Sequence, residues 1–367
     1  MTTHDPQKFA TGLGAKLATR SRHVCVFLGA GAAKACGLPD VKGLQDLVTA
    51  KLKGEQRKAF TSLLDKRNIE QVLSRIRRIA GLLNGAEKVD DLTKAQADEL
   101  DKAVCQAIVG ALGIDPKKIA PMKHLASWIK RANYHYPIEL FTVNYDLLLE
   151  TALEDRGVPY FDGFVGNLRA RFRAELVEAP PESPDGVSSL FVRLWKLHGS
   201  VNWERAEKEI VRIGQPVSDG LPAAIYPSDE KYEESRRVPF LVLQDRLRRA
   251  LHQPETLVLI SGFRFGDEHL NEMLFDAAGR RERSEFVVFS YDPITDALAE
   301  HAKSAPNIQV VGQSEAVLCG ERFAWKAPGN DIQDIWKDGK MVLPDFTHLA
   351  AYLARSSAPG DEVDDDA

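Results

Sequence analysis

The chain has few cysteines, and none of them lie in close pairs. Among its 367 residues Cys25, Cys36, Cys105 and Cys319 are scattered, and no C-x-x-C pair occurs. Structural zinc sites commonly take their ligands from such pairs. The sequence therefore argues against a zinc module built on paired cysteines.

Long apolar runs and an excess of positive charge are also missing. The longest apolar runs have the length of a strand, well below the roughly 20 residues that span a bilayer. The first 21 residues hold no signal-peptide core, so we expect a cytoplasmic protein. A net charge of −5 gives no overall attraction to nucleic acid, although it leaves room for a local basic strip. With 44% hydrophobic and 28% charged residues, the composition is that of a globular protein with a sizeable core.

Apolar runs of strand length recur along the chain and are separated by helical patterns. The predicted strands cover residues 23–28, 137–144, 191–198, 256–263, 285–292 and 307–313. Strands that alternate with helices indicate an α/β fold, a Rossmann-like parallel sheet with helices on both faces.

One connection is much longer than a crossover needs. Residues 43–131 read as helical, and in 69–79 apolar residues recur at spacings of three and four. We therefore expect an inserted helical subdomain at about 43–131. Two other segments, 158–190 and 203–235, are richer in proline, glycine and charge, which predicts long loops or small hairpins.

The domain plan follows from these patterns. An N-terminal helical extension is expected over residues 1–22 and one large domain over 23–355. The acidic tail at 356–367 has the composition of a disordered segment.

The segment "VFLGAGAAKACGLPD", residues 26–40, leaves a predicted strand through several small residues. Gly29 and Gly31 come first, and a helix start there presents backbone N–H groups to an anion. This predicts a nucleotide pyrophosphate against the backbone, with a branched side chain at Gly31 blocking it. A plain strand-to-helix turn is the alternative. The G-x-G-x-x-G fingerprint of dehydrogenases is incomplete because Lys34 takes its third glycine position.

Polar residues follow two further strands. Asn144 and Asp146 lie at the carboxyl end of one of them and His198 at that of the next, where open α/β sheets bind ligands. A structural alternative exists for each. Asn144 would be a helix N-cap with Asp146 favouring the helix dipole, and His198 would be a packed histidine. We expect Asn202 and Trp203 to shape the turn that follows.

The segment "LISGFRFGDEHLNEML" reads as a strand, a glycine-containing loop and a helix. Asp267 and Glu268 fall in the first turn of that helix. Gly262 would leave room for the phosphate and ribose of a nucleotide. The alternative is a capped strand-to-helix junction without a ligand.

Four segments in this order resemble the sirtuin-like NAD-binding family, and most of all its bacterial branch of NAD-consuming anti-phage effectors. They are "GAGAAKACGLPD", "TVNYDLLLE", "KLHGSVNW" and "GFRFGDEHLNEM", with "NIEQVLS" between the first two. The resemblance covers roughly residues 23–315. It implies that NAD is a substrate and that the large domain is catalytic.

The resemblance also implies roles for residues of the first segment. Gly29, Ala30 and Gly31 would face the NAD phosphates. Pro39 and Asp40 would lie on a loop that closes over the nicotinamide side.

The later segments would supply the chemistry. Asn144 and Asp146 would contact the nicotinamide and its ribose, and His198 would be the catalytic base. The adenosine end would be flanked by three consecutive residues, Gly262, Phe263 and Arg264.

The expected reaction is hydrolysis of NAD to nicotinamide and ADP-ribose. A protein deacylase is a weaker alternative, because Val41 and Lys42 follow Pro-Asp where deacylases carry an arginine, and the zinc module is missing. A sensor that binds NAD or ADP-ribose and regulates a partner is the other alternative. Binding alone needs no base, which argues against it.

The family further implies assembly. Single-module members of the defence branch act with a separate subunit. We favour a HerA-type DNA-translocating ATPase as that subunit, with a short Argonaute as the alternative. We also expect a homo-oligomer, because the helical insertion has no assigned role and no regulatory domain is recognisable in the sequence.

We predict that the purified protein holds no stoichiometric zinc, because it has no paired cysteines to ligate the metal. Elemental analysis tests this. About one zinc per chain would contradict the prediction and favour the deacylase.

Overall fold

The fold is organised around a central sheet of nine strands. The computed structural model describes residues 2–65, 67–179, 187–206, 209–217, 222–224, 238–280 and 283–356. In chain order the strands are β1 (Val24–Leu28), β2 (Glu139–Thr142), β3 (Tyr160–Phe161), β4 (Phe164–Val165), β5 (Arg169–Phe172), β6 (Val192–Lys196), β7 (Gly199–Arg205), β8 (Ile210–Ile213), β9 (Pro222–Ala224), β10 (Leu257–Ser261), β11 (Glu285–Phe289), β12 (Ile308–Val311), β13 (Glu315–Leu318), β14 (Glu321–Ala324), β15 (Trp336–Lys337) and β16 (Lys340–Met341).

The central sheet has the strand order β14-β13-β12-β11-β10-β1-β2-β6-β3. From β12 to β3 every neighbouring pair is parallel, and β13 and β14 add an antiparallel edge. The strand β15 pairs with β16 in a separate ribbon. The predicted α/β fold with a mostly parallel sheet is confirmed, while the antiparallel edge was not predicted.

Helices cover both faces of this sheet. They are α1 (Pro6–Ala18), α2 (Ala30–Ala35), α3 (Val41–Lys51), α4 (Gly54–Leu64), α5 (Ile69–Leu82), α6 (Lys94–Val109), α7 (Ala120–Arg131), α8 (Leu148–Asp155), α9 (Ala174–Glu178), α10 (Phe240–Leu251), α11 (Glu268–Arg280), α12 (Asp296–Ser304) and α13 (Phe346–Ser356). None of the helices in the described ranges combines the length and the apolar character that a membrane crossing requires.

Strand β1 shows how the two faces are filled. Val24, Val26 and Leu28 pack into a core shared with α3 to α8 and α13. Cys25 and Phe27 point the other way, into a core shared with α10 to α12. All five residues are buried, which is why the strand reads as a continuous apolar run rather than an alternating one.

The segment between β1 and β2 is helical, as its periodicity predicts. It folds into α2 to α7, and the apolar stripe of α5 is 0–1% exposed. Asn68 caps α5 in a reciprocal capping box with Gln71. These helices share one continuous core with the sheet. The bounds given above for the domain and the insertion stay predictions.

The segments expected as loops or hairpins contribute a second sheet. Its order is β4-β5-β8-β7-β9, and all its pairs are antiparallel. Asn202 and Trp203 lie within β7, so the prediction that they shape a turn was wrong. The ring of Trp203 is buried and packs 4.8 Å from that of Phe164.

The expected N-terminal extension forms α1 and packs against the C-terminal part of the chain. His4 forms an isolated parallel β-bridge with Trp325, and the Tyr352 hydroxyl donates to the Ala10 carbonyl at 2.7 Å. Of the acidic tail, Ser356 ends α13, and residues 357–367 lie outside the described residues.

A buried charge cluster lies at the amino ends of the central strands. The Glu139 carboxylate is 0% exposed and accepts hydrogen bonds from His23 (2.8 Å), Trp195 (2.7 Å) and Arg246 (2.6 and 2.8 Å). Burial alone would raise the pKa of Glu139, but Arg246 and His23 outweigh it and lower the pKa to about 2. Burial alone would lower the pKa of His23, but contacts with Cys25 and Glu139 raise it to about 10.

We expect Glu139 to make folding acid-sensitive. Its stabilisation is fully present above its unfolded pKa of 4.5 and is lost as the pH falls towards 2, on the order of 3 kcal/mol in all. The contribution of His23 is retained below pH 6.5 and fades only as the pH rises towards 10, so it leaves the acid limb unaffected. Urea unfolding at pH 7 and pH 3 measures the difference.

The variant Glu139→Gln should lose about 3–5 kcal/mol at pH 7, because it leaves Arg246 and His23 without their counter-charge. It should also lose the corresponding part of the acid sensitivity. Glu55→Gln is the control, since Glu55 is exposed and pairs with the exposed Lys58. Parallel pH profiles for the Glu139→Gln and wild-type proteins would contradict the assignment.

Candidate functional site

The carboxyl ends of β10, β1, β2 and β6 surround one cavity of about 870 Å³. These four strands are neighbours in the central sheet. In the sheet β1 and β10 are neighbours. The next strand of the chain after β1 is β2, on the far side of β1, whereas the next strand after β10 is β11, on the far side of β10. The cavity therefore lies at the topological switch point of the sheet, where open α/β folds bind ligands.

Ten of the eleven site residues predicted from the sequence line this cavity. They are Ala30, Gly31, Pro39, Asp40, Asn144, Asp146, His198, Gly262, Phe263 and Arg264. Gly29 is buried and does not line it. The structure thus brings the four quoted segments together, while the role of each residue stays a prediction. Sequence reasoning missed the contribution of the helical segment, from which Asn68, Gln71 and Leu112 form part of the wall.

The turn after β1 that contains Gly29 and Gly31, here called the glycine turn, is in close contact with the loop after β10 that contains Gly262. A Cβ on Gly29 would lie 2.4 Å from the Gly262 carbonyl oxygen, and one on Gly31 would lie 2.6 Å from the Gly262 Cα. Gly262 has a φ of +68°, and a Cβ there would lie 2.4 Å from the Ala32 nitrogen. The Gly31 N–H donates to the Gly262 carbonyl at 2.9 Å.

Two expectations need correction as a result. A side chain at Gly31 would first strike the Gly262 backbone rather than fill an open phosphate site. The missing side chain of Gly262 makes room for Gly31 and Ala32 rather than for a nucleotide.

Asn144 ties the loop after β2 to the glycine turn. Its side-chain amide donates to the Gly29 carbonyl at 3.0 Å, and its backbone N–H donates to the Thr142 hydroxyl at 3.0 Å. Helix α8 begins at Leu148 after the cap residue Leu147, so the alternative that Asn144 is the N-cap was wrong. Asn144 is half-buried on the cavity wall, with its amide orientation fixed by the Gly29 contact.

Asp146 is a buried carboxyl group on the same wall. Burial raises its pKa, and the nearby Lys196 ammonium only partly opposes this. One carboxylate oxygen accepts from the Leu148 N–H at 2.9 Å, at the start of α8. The Lys196 ammonium donates to the Asp146 backbone carbonyl, to Glu150 (2.8 Å) and to the Ser200 hydroxyl (2.7 Å). A buried lysine thus fixes the loop that presents Asp146.

His198 lies in the turn from β6 to β7 and is 7% exposed. Its Nε2 is 3.3 Å from Oδ2 of Asp267, which is 5% exposed. Asp267 precedes α11 by one residue, and its Oδ1 accepts from the Leu270 N–H at 3.2 Å. It therefore lies before the helix rather than in its first turn. Sequence reasoning missed the contact, for which the only signal was the position of Asp267 near a strand end.

The rim of the cavity carries two cations with carboxylate partners. Asp40 caps the N-terminus of α3 and accepts from the Gly43 N–H and from the Lys34 ammonium, both at 2.9 Å. These hydrogen bonds, aided by the Arg264 charge, lower the pKa of Asp40. Arg264 pairs with Asp292 at 3.2 Å, and both of these side chains are exposed.

No cluster of three or more His, Cys, Asp or Glu side chains with metal-binding geometry occurs in the part of the chain that the structure describes. Cys25, Cys36 and Cys105 are buried, and Cys319 is exposed.

Residues 138–311 match the family model of the SIR2-like domain. The match begins at β2 and ends with β12, so it contains Asn144, His198 and the Gly262 loop but neither the glycine turn nor α3 to α7. It supports a sirtuin-like family and an NAD-related function for the site. No curated protein is similar enough to match the chain.

We predict that Gly31→Ala destabilises the fold by about 1–3 kcal/mol, because even one methyl group forces the two loops apart. Gly81→Ala is the matched control. Gly81 lies in α5 with nothing within 4 Å of an added Cβ, so this change should be neutral or stabilise by up to about 1 kcal/mol. Thermal unfolding compares the two. A melting temperature unchanged by Gly31→Ala would show that the turn has spare room.

Proposed function

We propose that this protein is an NAD glycohydrolase that cleaves NAD to nicotinamide and ADP-ribose. One observation carries the proposal. Asn144 and His198 leave neighbouring parallel strands and meet on one cavity that the glycine turn also lines. The match of residues 138–311 to the SIR2-like domain makes NAD the ligand to consider first.

The residue types suit the chemistry. Breaking the bond between nicotinamide and ribose passes through an oxocarbenium-like state, as glycoside hydrolysis does. Nicotinamide in NAD carries a positive charge and departs neutral with the bonding electrons, so the reaction needs no general acid. It does need a positioned nucleophile and a base for the proton that the nucleophile releases.

In the proposed mechanism His198 is that base and Asn144 a positioning amide. A water oxygen attacks the anomeric carbon as the bond to nicotinamide breaks, which forms ADP-ribose and releases neutral nicotinamide. His198 takes the released proton and returns it to solvent. Asp146 lies two residues after Asn144 on the same cavity wall and would hold the nicotinamide end.

The rim and the size of the cavity fit the rest of the ligand. At about 870 Å³ the cavity lies at the upper end of the range for small-molecule sites. Lys34 and Arg264 are suited to pair with a pyrophosphate. Phe263 offers an aromatic face to a nucleobase at the same rim.

We extend the proposal to the biological setting. The protein would be the effector of a bacterial anti-phage system and act as a homo-oligomer with a HerA-type ATPase subunit. The support is the resemblance of the four segments to that branch. The assay below is therefore run with and without the ATPase subunit, and light scattering reports the molar mass in each case.

We predict that Asn144→Ala and His198→Ala lower nicotinamide release by about 10²–10⁴-fold, the usual effect of losing a positioned acid–base group. Each variant should keep its circular dichroism spectrum and measurable NAD affinity. The double variant should be little slower than either single one, because residues that act as a unit are not additive. His135→Ala is the control, because it removes an exposed imidazole that does not line the cavity.

Release of nicotinamide is measured under the conditions that activate the wild type. A folded Asn144→Ala protein with wild-type turnover would leave the asparagine as a structural link to Gly29. NAD binding without turnover by the wild type in every assembly would favour the sensor.

A further inference from the structure

Asp267 contacts His198 within the cavity wall, and the mechanism above gives it no role. We propose that Asp267 is a positioning residue: it holds the Nε2–H of His198 and so leaves Nδ1 as the nitrogen that takes the proton. The inference rests on the proposed function for its effect on turnover. The geometric part concerns the imidazole alone and can be tested separately.

The contact joins the two outer strands of the site. His198 follows β6 and Asp267 follows β10, and these strands are separated in the sheet by β1 and β2. The 3.3 Å approach of Nε2 to Oδ2 therefore spans the carboxyl ends of both central strands. Both side chains are more than nine-tenths buried, so little water competes for the interaction.

Asp267 is held rigidly enough to orient a ring. Its Oδ1 accepts from the Leu270 N–H at 3.2 Å, and its backbone carbonyl accepts from the Asn271 N–H at 2.9 Å. With one carboxylate oxygen fixed by the start of α11, the direction of the other is fixed as well. The 3.3 Å separation from His198 is slightly longer than most hydrogen bonds between a nitrogen and an oxygen.

The chemistry of the pair selects the tautomer. A neutral imidazole carries one N–H, and an ionised carboxylate can only accept. The nitrogen next to Asp267 must then carry the proton, which places the lone pair on Nδ1. When Nδ1 takes a proton from water, the ring becomes positive and the carboxylate compensates that charge.

A purely structural role makes a different demand. As a helix cap, Asp267 needs only Oδ1, and asparagine or serine caps a helix comparably well. Substitutions that keep the cap but change the group facing Nε2 separate the two roles.

Three variants make the comparison. Asp267→Asn keeps the cap and turns an NH₂ group towards Nε2, which favours the wrong tautomer. Asp267→Ser keeps a cap and leaves Nε2 without this partner. Asp276→Asn removes one carboxylate from the exposed face of the same helix, where Asp276 pairs with Arg280 at 2.7 Å, and is the control.

We expect Asp267→Asn to lower kcat by about 10²–10⁴-fold with little change in NAD affinity, because positioning acts on the proton transfer. Asp267→Ser should show a smaller loss, and Asp276→Asn should match the wild type. The thermal stability of all three should stay close to that of the wild type. Wild-type kcat in a folded Asp267→Asn protein would overturn the proposal.

Nitrogen-15 NMR of histidine-labelled protein supplies the readout that needs no turnover. The His198 signals are assigned by their loss in His198→Gln. The wild type should show the Nε2–H tautomer, and Asp267→Asn should shift it towards Nδ1–H. An Nδ1–H tautomer in the wild type would overturn the proposal. If no nicotinamide is released under any condition, the proposed function fails while the tautomer still decides this inference.

Discussion

The site depends on a backbone contact that leaves no room for a side chain. The turn after β1 and the loop after β10 meet at Gly31 and Gly262, joined by a hydrogen bond of 2.9 Å. Asn144 then ties the loop after β2 to the same turn through the Gly29 carbonyl, and the pair of His198 with Asp267 links β6 to β10. These three contacts link the four strand ends in series, so none of their loops is placed independently of the others.

The opposite end of the sheet, at the amino ends of the strands, is stabilised by buried ion pairs. Glu139 opens β2, and its charge is compensated in a dry environment by Arg246 and His23. Removing one member of such a cluster leaves the other charges buried without a partner. The cluster is therefore a strong constraint on the register of the β-strands. Strand β2 therefore carries a buried ion cluster at one end and Asn144 just past the other. Errors in its placement would disturb both.

Much of the scaffold could be predicted from the sequence. Continuous apolar runs predicted β1 and β10, because a strand that is buried on both faces needs apolar residues at every position. The periodicity of 69–79 predicted α5, because a helix buried along one stripe needs apolar residues every three or four positions. The convergence of Asn144 and His198 followed from the rule that parallel strands end at one edge. The second sheet was harder, because β4, β5 and β8 are short and partly exposed, and β7 was mistaken for a turn.

The contacts within the site could not be predicted. The pairing of His198 with Asp267 depends on how many strands separate β6 from β10, and strand order is a property of the whole sheet. The glycines posed a different difficulty. A glycine in the sequence does not show whether the space beside it is needed by a phosphate or by another loop. Only the structure shows that the Gly262 backbone occupies the space beside Gly29 and Gly31.

This use of the glycines changes where the attraction for a pyrophosphate must come from. In the dehydrogenase fingerprint the third glycine lets the helix pack closely on the strand. Here that position is Lys34, and the close packing is made instead between loops, with the Gly31 N–H already engaged by Gly262. Under the proposed function, binding of the phosphates then falls more heavily on Lys34 and Arg264. Both are paired with carboxylates at the rim, and such exposed pairs are weak enough to exchange for a phosphate at little cost. The positive charges at the rim would therefore attract the phosphates in place of the backbone N–H donors that the glycine turn lacks.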